Sequence, residues 1–148
     1  MKIAPVYVID ANVFVSDAHP GERFHATSAA LFLRIAVEQW QVLVPAIMPA
    51  EVAAGIARQT EDAATAQQFV RLLQRLPHIQ VVDVDHNLGN LAAGLAAQHR
   101  IRGCDAIYVA LAQLHNAVLI TLDQEQWQRV PPDIVARTPA EELLVLQT

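Results

Sequence analysis

Short, mainly apolar runs recur along the chain, separated by stretches of helical period. Val6–Ile9, "QVLVP" (41–45), "IQVVDV" (79–84) and "AVLIT" (117–121) read as strands, with "DIVA" (133–136) a weak fifth. Strands covered on both faces are apolar almost throughout instead of alternating, and strands that alternate with helices build a parallel sheet. Helical patterns run from Ala26 to Trp40, from near Ala46 or Pro49 to Arg58, and from Glu61 to Leu76. Two more run from Asn87 to His99 and onward from Gly103. Phe69, Leu72, Leu73 and Leu76 recur at helical spacing, as do Ile107, Ala110, Leu111 and Leu114, and each set predicts one apolar stripe. The expected architecture is α/β: three layers, α/β/α, around a short, mainly parallel sheet, in one domain over residues 1–148.

One residue in the first run stands out. "VYVIDANVFV" (6–15) reads as a buried strand, yet it carries Asp10. An ionised carboxylate buried without a partner is too costly to persist, so its charge needs compensation. Composition narrows the choices. Net charge is −5, which is not the overall signature of a nucleic-acid binder but matters less if acids gather around a metal. A single cysteine, Cys104, forms no internal disulfide and suits a reducing, cytoplasmic setting; it reads as a small core residue. The six histidines are scattered, with no zinc-ligand spacing. No apolar run is long enough to span a bilayer, and nothing resembles a secretory leader. The 53% hydrophobic content allows for a partner over part of the surface.

Three further acids map to the same region as Asp10. Open α/β sheets collect their chemistry beyond the carboxyl ends of the strands. Asp10 closes the first strand there, and Asp123 follows the fourth in "LITLDQ". Glu51 falls early in the helix after the second strand, and Asp105 in the first turn of the helix opened by Gly103. Each has an ordinary explanation taken singly. Asp105 suits a helix N-terminus, Asp123 a cap, Glu51 a solvated helix face, and Asp10 a bond to backbone amides at a strand end. Together, four acids at one edge repel each other, and without a cation at least one pKa is forced upward. Hard oxygen donors suit Mg²⁺ or Mn²⁺.

At these residues the chain resembles the PIN-domain nucleases, and more narrowly the ribonuclease toxins of type II toxin–antitoxin pairs often called VapC. "VIDANVFV" resembles the opening strand with its first acid, Asp10. "VPAIMPAEVAAGI" resembles the second block and places an acid at Glu51; "IRGCDAIYVALAQLHNAVLITLDQEQ" places the others at Asp105 and Asp123. The resemblance implies a Mg²⁺- or Mn²⁺-dependent endoribonuclease with these four acids as catalytic and metal-binding residues. It further implies a homodimer and a small antitoxin that blocks the groove and contributes to operator binding.

Asn12 and Thr121 fall where the family often places small polar residues, as supports for the acids, although an Asx turn and simple strand preference explain them too. Glu125 is a candidate for a second ion or a solvated charge, and Arg23, Arg100 and Arg102 are candidates to guide an RNA backbone past a protein that repels it overall. Two other functions fit part of the pattern. A PIN-fold binding module would keep the acids but act through a partner. A phosphotransfer domain using Asp10 as acceptor would want a lysine beside it, and the one lysine is Lys2.

Overall fold

A computed structural model describes residues 3–148; Lys2 lies outside the described residues. Among these residues five strands form one sheet: β1 (Tyr7–Ile9), β2 (Val42–Pro45), β3 (Ile79–Val82), β4 (Val118–Ile120) and β5 (Ala136–Arg137). Their order is β3-β2-β1-β4-β5 and every pairing is parallel. The first strand made is therefore the central one, with all carboxyl ends at one edge. The three residues of β1 have no exposed surface, as a strand sandwiched between two helical layers requires.

Among the described residues eight helices enclose the sheet in the three-layer arrangement: α1 (Ala11–Asp17), α2 (His25–Glu38), α3 (Met48–Thr60), α4 (Ala63–Gln74), α5 (His86–His99), α6 (Gly103–His115), α7 (Gln124–Arg129) and α8 (Pro139–Leu146). Helix α6 lies on β1, β2 and β4, with α5 beside it; α1 packs against α2 and α3, and α2 against α8. Pro49 sits in the first turn of α3, where its missing N–H costs nothing. Gly55, four residues beyond Glu51, faces α1 closely: a Cβ there would stand 2.7 Å from Val15 Cγ2. Among the described residues no helix is long and apolar enough to cross a membrane.

Three local readings change, and one helix lies where none was expected. The run after Ile9 is not a strand but α1, because the ladder ends with the pairs Ile9↔Ile120 and Asp10 N–H to Ile120 O. Beyond that edge Val13 and Phe14 bury fully as a helix, which outweighs the few tenths of a kcal/mol that β-branched residues cost in one. The two expected stripes are only partly buried, since Leu72, Leu76 and Leu114 are exposed. Helix α6 instead buries an unbroken run from Tyr108 to Ala112, plus Ala106, because it is wedged between sheet and α5. Cys104 is exposed, not a core residue, since it lies in the outer first turn of α6. Lastly, α8 lies in the stretch after "DIVA"; its start is a capping box formed by Thr138 and Glu141, with Pro139 in the first turn.

Helix α8 also closes the core. Glu142 is buried, and both its oxygens are used: Tyr7 of β1 donates its hydroxyl to Oε1 at 2.8 Å, and Arg137 of β5 pairs with Oε2 at 2.7 Å.

Candidate active site

The carboxyl edge of the sheet opens into a cleft of about 750 Å³. Strand β1 delivers Asp10 to its floor, α3 contributes Glu51, α6 Asp105, and the turn after β4 Asp123. All four predicted acids therefore line one cleft, joined by Asn12 from α1. Thr121 does not line it but lies fully buried behind it.

Asp10 is the most deeply placed of the four, at 4% exposure. Its backbone is extended and it precedes α1 without capping it, so the carboxylate is left for side-chain partners. Oδ2 accepts from the Thr121 hydroxyl at 2.9 Å and from Asn12 Nδ2 at 3.3 Å. Asn12 in turn accepts the Leu122 N–H at 3.2 Å, tying α1 to the turn after β4. The Thr121 hydroxyl has one proton and two acceptors in reach, the second being Gln126 Oε1 at 3.0 Å. Gln126, itself buried, donates to the Asp105 carbonyl. Burial pushes the Asp10 carboxyl up to about 7 against the pull of Thr121, and the charges of Asp105 and Glu51 add to the rise. The acids are thus close enough to feel one another, and the buried one retains a proton near neutrality.

The other three acids are also held. Glu51 Oε1 accepts the Tyr108 hydroxyl at 2.7 Å. Burial, and then this bond, raise the Tyr108 phenol above its ordinary range, so it remains a donor. Asp123 caps α7, its Oδ1 accepting from the Glu125 and Gln126 amides. Asp105 lies in the first turn of α6 and does not cap it; burial raises its carboxyl, partly offset by Arg102. Arg102 bridges two acids: Nε lies 2.9 Å from Asp105 Oδ2, and Nη2 2.7 Å from Asp123 Oδ2.

The remaining candidates divide. Arg102 lines the cleft, whereas Arg23 and Arg100 do not. Arg23 stacks over the Phe24 ring at 5.0 Å, and the Arg100 carbonyl accepts from Arg129. Glu125 does not line the cleft and pairs with Arg129 across one helical turn. Residues the sequence did not single out complete the cleft: Phe24 and Arg58 line it, and Tyr108 and Gln126 support it from behind. Tyr108 lies three residues after Asp105 and so shares its helix face, a usable signal. The position of Phe24 had none, because it depends on Glu22 Oε2 accepting both the Ser16 hydroxyl and the Phe24 amide.

The donor chemistry fits a hard divalent cation, with carboxylate and amide oxygens around the cleft. The four acids do not form a ready-made cage: among the described residues no group of three or more His, Cys, Asp or Glu is spaced to hold a metal ion.

A model of the PIN domain matches residues 7–131. No curated protein matches the sequence. Solved structures do match. A toxin–antitoxin complex from Klebsiella pneumoniae is 24% identical with a TM-score of 0.63, over 90% of this chain and 97% of that one. VapBC2 from Rickettsia felis, bound to a DNA fragment from its promoter, is 15% identical with a TM-score of 0.69, over 90% and 98%. VapC20 from Mycobacterium tuberculosis, described as a sarcin–ricin loop cleaving toxin, is 14% identical with a TM-score of 0.68, over 81% and 92%.

Proposed function

The chain belongs to the PIN domain family, and from that premise we propose that it is a metal-dependent endoribonuclease, the toxin of a toxin–antitoxin pair. The observation that carries this reading is the convergence of Asp10, Glu51, Asp105 and Asp123, from four separate elements, on one cleft. The likeness in fold to a toxin that cleaves the sarcin–ricin loop supports RNA as substrate, and the likeness to antitoxin complexes supports a small protein inhibitor.

Asp10, Glu51, Asp105 and Asp123 would hold Mg²⁺ or Mn²⁺. When bound, such an ion lowers the pKa of a water molecule and polarises the phosphate. The chain's own residues prepare the pocket. Thr121 and Asn12 fix Asp10, Tyr108 fixes Glu51, and the cap on α7 fixes Asp123. Held rotamers of this kind keep charge aimed where the transition state develops it. No side chain need become covalently attached. Water adds across a P–O bond: its oxygen ends on phosphorus, and the leaving ribose oxygen takes up a proton.

Arg58 and Phe24 suit the substrate. Arg58 makes no ion pair among the described residues and would meet a backbone phosphate, while the half-exposed Phe24 ring would take an unstacked base. These local groups answer the adverse net charge. Helices α2 and α8, which touch each other, expose Leu33, Val37, Leu144 and Val145; this is the surface we assign to a second copy in a homodimer.

The test is cleavage of RNA by the purified chain with Mg²⁺ or Mn²⁺, with EDTA and Asp10→Asn as controls. Ion-dependent cutting that disappears in both controls is expected. Wild-type protein that binds RNA or an antitoxin but cuts nothing with either ion favours the alternative, a PIN-fold binding module.

A further inference from the structure

We propose that Arg102 is the cleft's internal counter-ion and competes with the divalent cation for Asp105 and Asp123. The inference rests on the metal-dependent reading above and goes beyond it, because it assigns a role opposed to ion binding within the same site.

The argument starts from which oxygens remain available. Asp123 uses Oδ1 to cap α7, accepting two backbone amides. Only Oδ2 is left to meet an ion, and Arg102 Nη2 holds it at 2.7 Å. The same guanidinium reaches Asp105 Oδ2 through Nε at 2.9 Å. One planar fork thus spans two of the four carboxylates. Its backbone favours this: Arg102 is the extended residue before α6, so its side chain starts beside the helix end that carries Asp105.

The clamp is built to be released. The Arg102 side chain is 72% exposed, while those of Asp105 and Asp123 are 15% and 22% exposed. The acids stay in place and the cation can swing into water. Exposed ion pairs are weak, so a divalent ion outcompetes a guanidinium without disturbing the fold. With the ion absent, Arg102 offsets repulsion between Asp105 and Asp123. With the ion bound, its charge is released at the cleft mouth.

Mn²⁺ affinity, measured by calorimetry or by the signal of free Mn²⁺ in electron spin resonance, tests this without an activity assay. Arg102→Gln is expected to bind Mn²⁺ about fivefold more tightly than wild type, in line with the loss of two weak pairs. Arg102→Lys keeps the charge but not the fork, and its affinity should fall between them. Arg58→Gln removes one positive charge from the same cleft without touching an acid, and should change affinity less than about twofold. Circular dichroism should show all three variants folded. Arg102→Gln binding no more tightly than wild type overturns the proposal, as does an equal gain in Arg58→Gln, which would make it a matter of net charge. Wild-type protein that binds no Mn²⁺ at all overturns the metal-dependent reading instead, and this one with it.

Discussion

Tyr108 and Glu51, 57 positions apart in sequence, meet at 2.7 Å, phenol to carboxylate, behind the lining of the cleft. The bond joins α6 to α3 at the level of the acids. Tyr108→Phe removes the donor and leaves Glu51 to water from the cleft. Stability should fall by only about 1 kcal/mol, as for one neutral donor lost beside solvent. Ion affinity should fall further, by about tenfold, because an outer partner that orients a ligand typically contributes that much. Urea unfolding beside Mn²⁺ titration checks the split; equal losses in both would make Tyr108 a packing residue.

Asp10 gives a pH prediction with a definite sign. Its carboxyl is pushed up to about 7 from an ordinary 3.8, chiefly by burial. The folded state therefore holds this proton more tightly than the unfolded chain. The contribution to stability is complete below about 4 and is lost as pH rises through 7. In EDTA, Asp10→Asn should be more stable than wild type at pH 8, by roughly 2–4 kcal/mol, and the gap should close towards pH 4. Parallel pH–stability curves for the two proteins would show that Asp10 carries no such penalty.

Gly55 inverts a usual rule. Glycine to alanine inside a helix normally stabilises by about 0.5–1 kcal/mol. Here the new methyl would meet Val15 Cγ2 at 2.7 Å, and a valine has little freedom to give way. Gly55→Ala should destabilise by about 1–3 kcal/mol and push α3 from α1, carrying Glu51 away from Asp10. Thermal unfolding and Mn²⁺ affinity should both worsen. A rise in midpoint would mean the helices separate freely.

Arg137 is the charge partner of buried Glu142. Arg137→Met leaves that carboxylate with Tyr7 alone, and the loss should be about 3 kcal/mol, near the lower end for a broken buried pair because Arg137 is itself 30% exposed. Adding Glu142→Gln should restore part of it. Denaturant unfolding of the single and double variants decides whether the cost is the stranded charge or lost packing.

The order of the strands and of the helices between them, α1 and α8 apart, and the four acids at one edge were readable because both follow from local chemistry: unbroken apolar runs, and acids at element ends. What was hidden depends on partners remote in sequence. Val13 and Phe14 look like strand residues, and only the end of pairing at Ile120 makes them helical. Leu114 looks like a core residue, but neighbours cover the other faces of α6. Asp123 was open between cap and site residue; Oδ1 caps α7, while Oδ2 pairs with Arg102 at the cleft. Arg102 was open between an RNA-guiding residue and ordinary solvated surface, and the sequence does not reveal that one side chain reaches both Asp105 and Asp123. The capping box that opens α8, Thr138 with Glu141, went unread, and so did the use of Glu142 inside the core.

The strand order carries a consequence for biosynthesis. The central strand leaves the ribosome first, but its flank on one side is β4, more than a hundred residues later. Until that flank docks, Asp10 lacks Thr121, and the last acid has not been delivered to the groove. A nascent or truncated polypeptide that stops short of it thus lacks part of the cleft. The proposed active site is therefore complete only when translation is nearly finished.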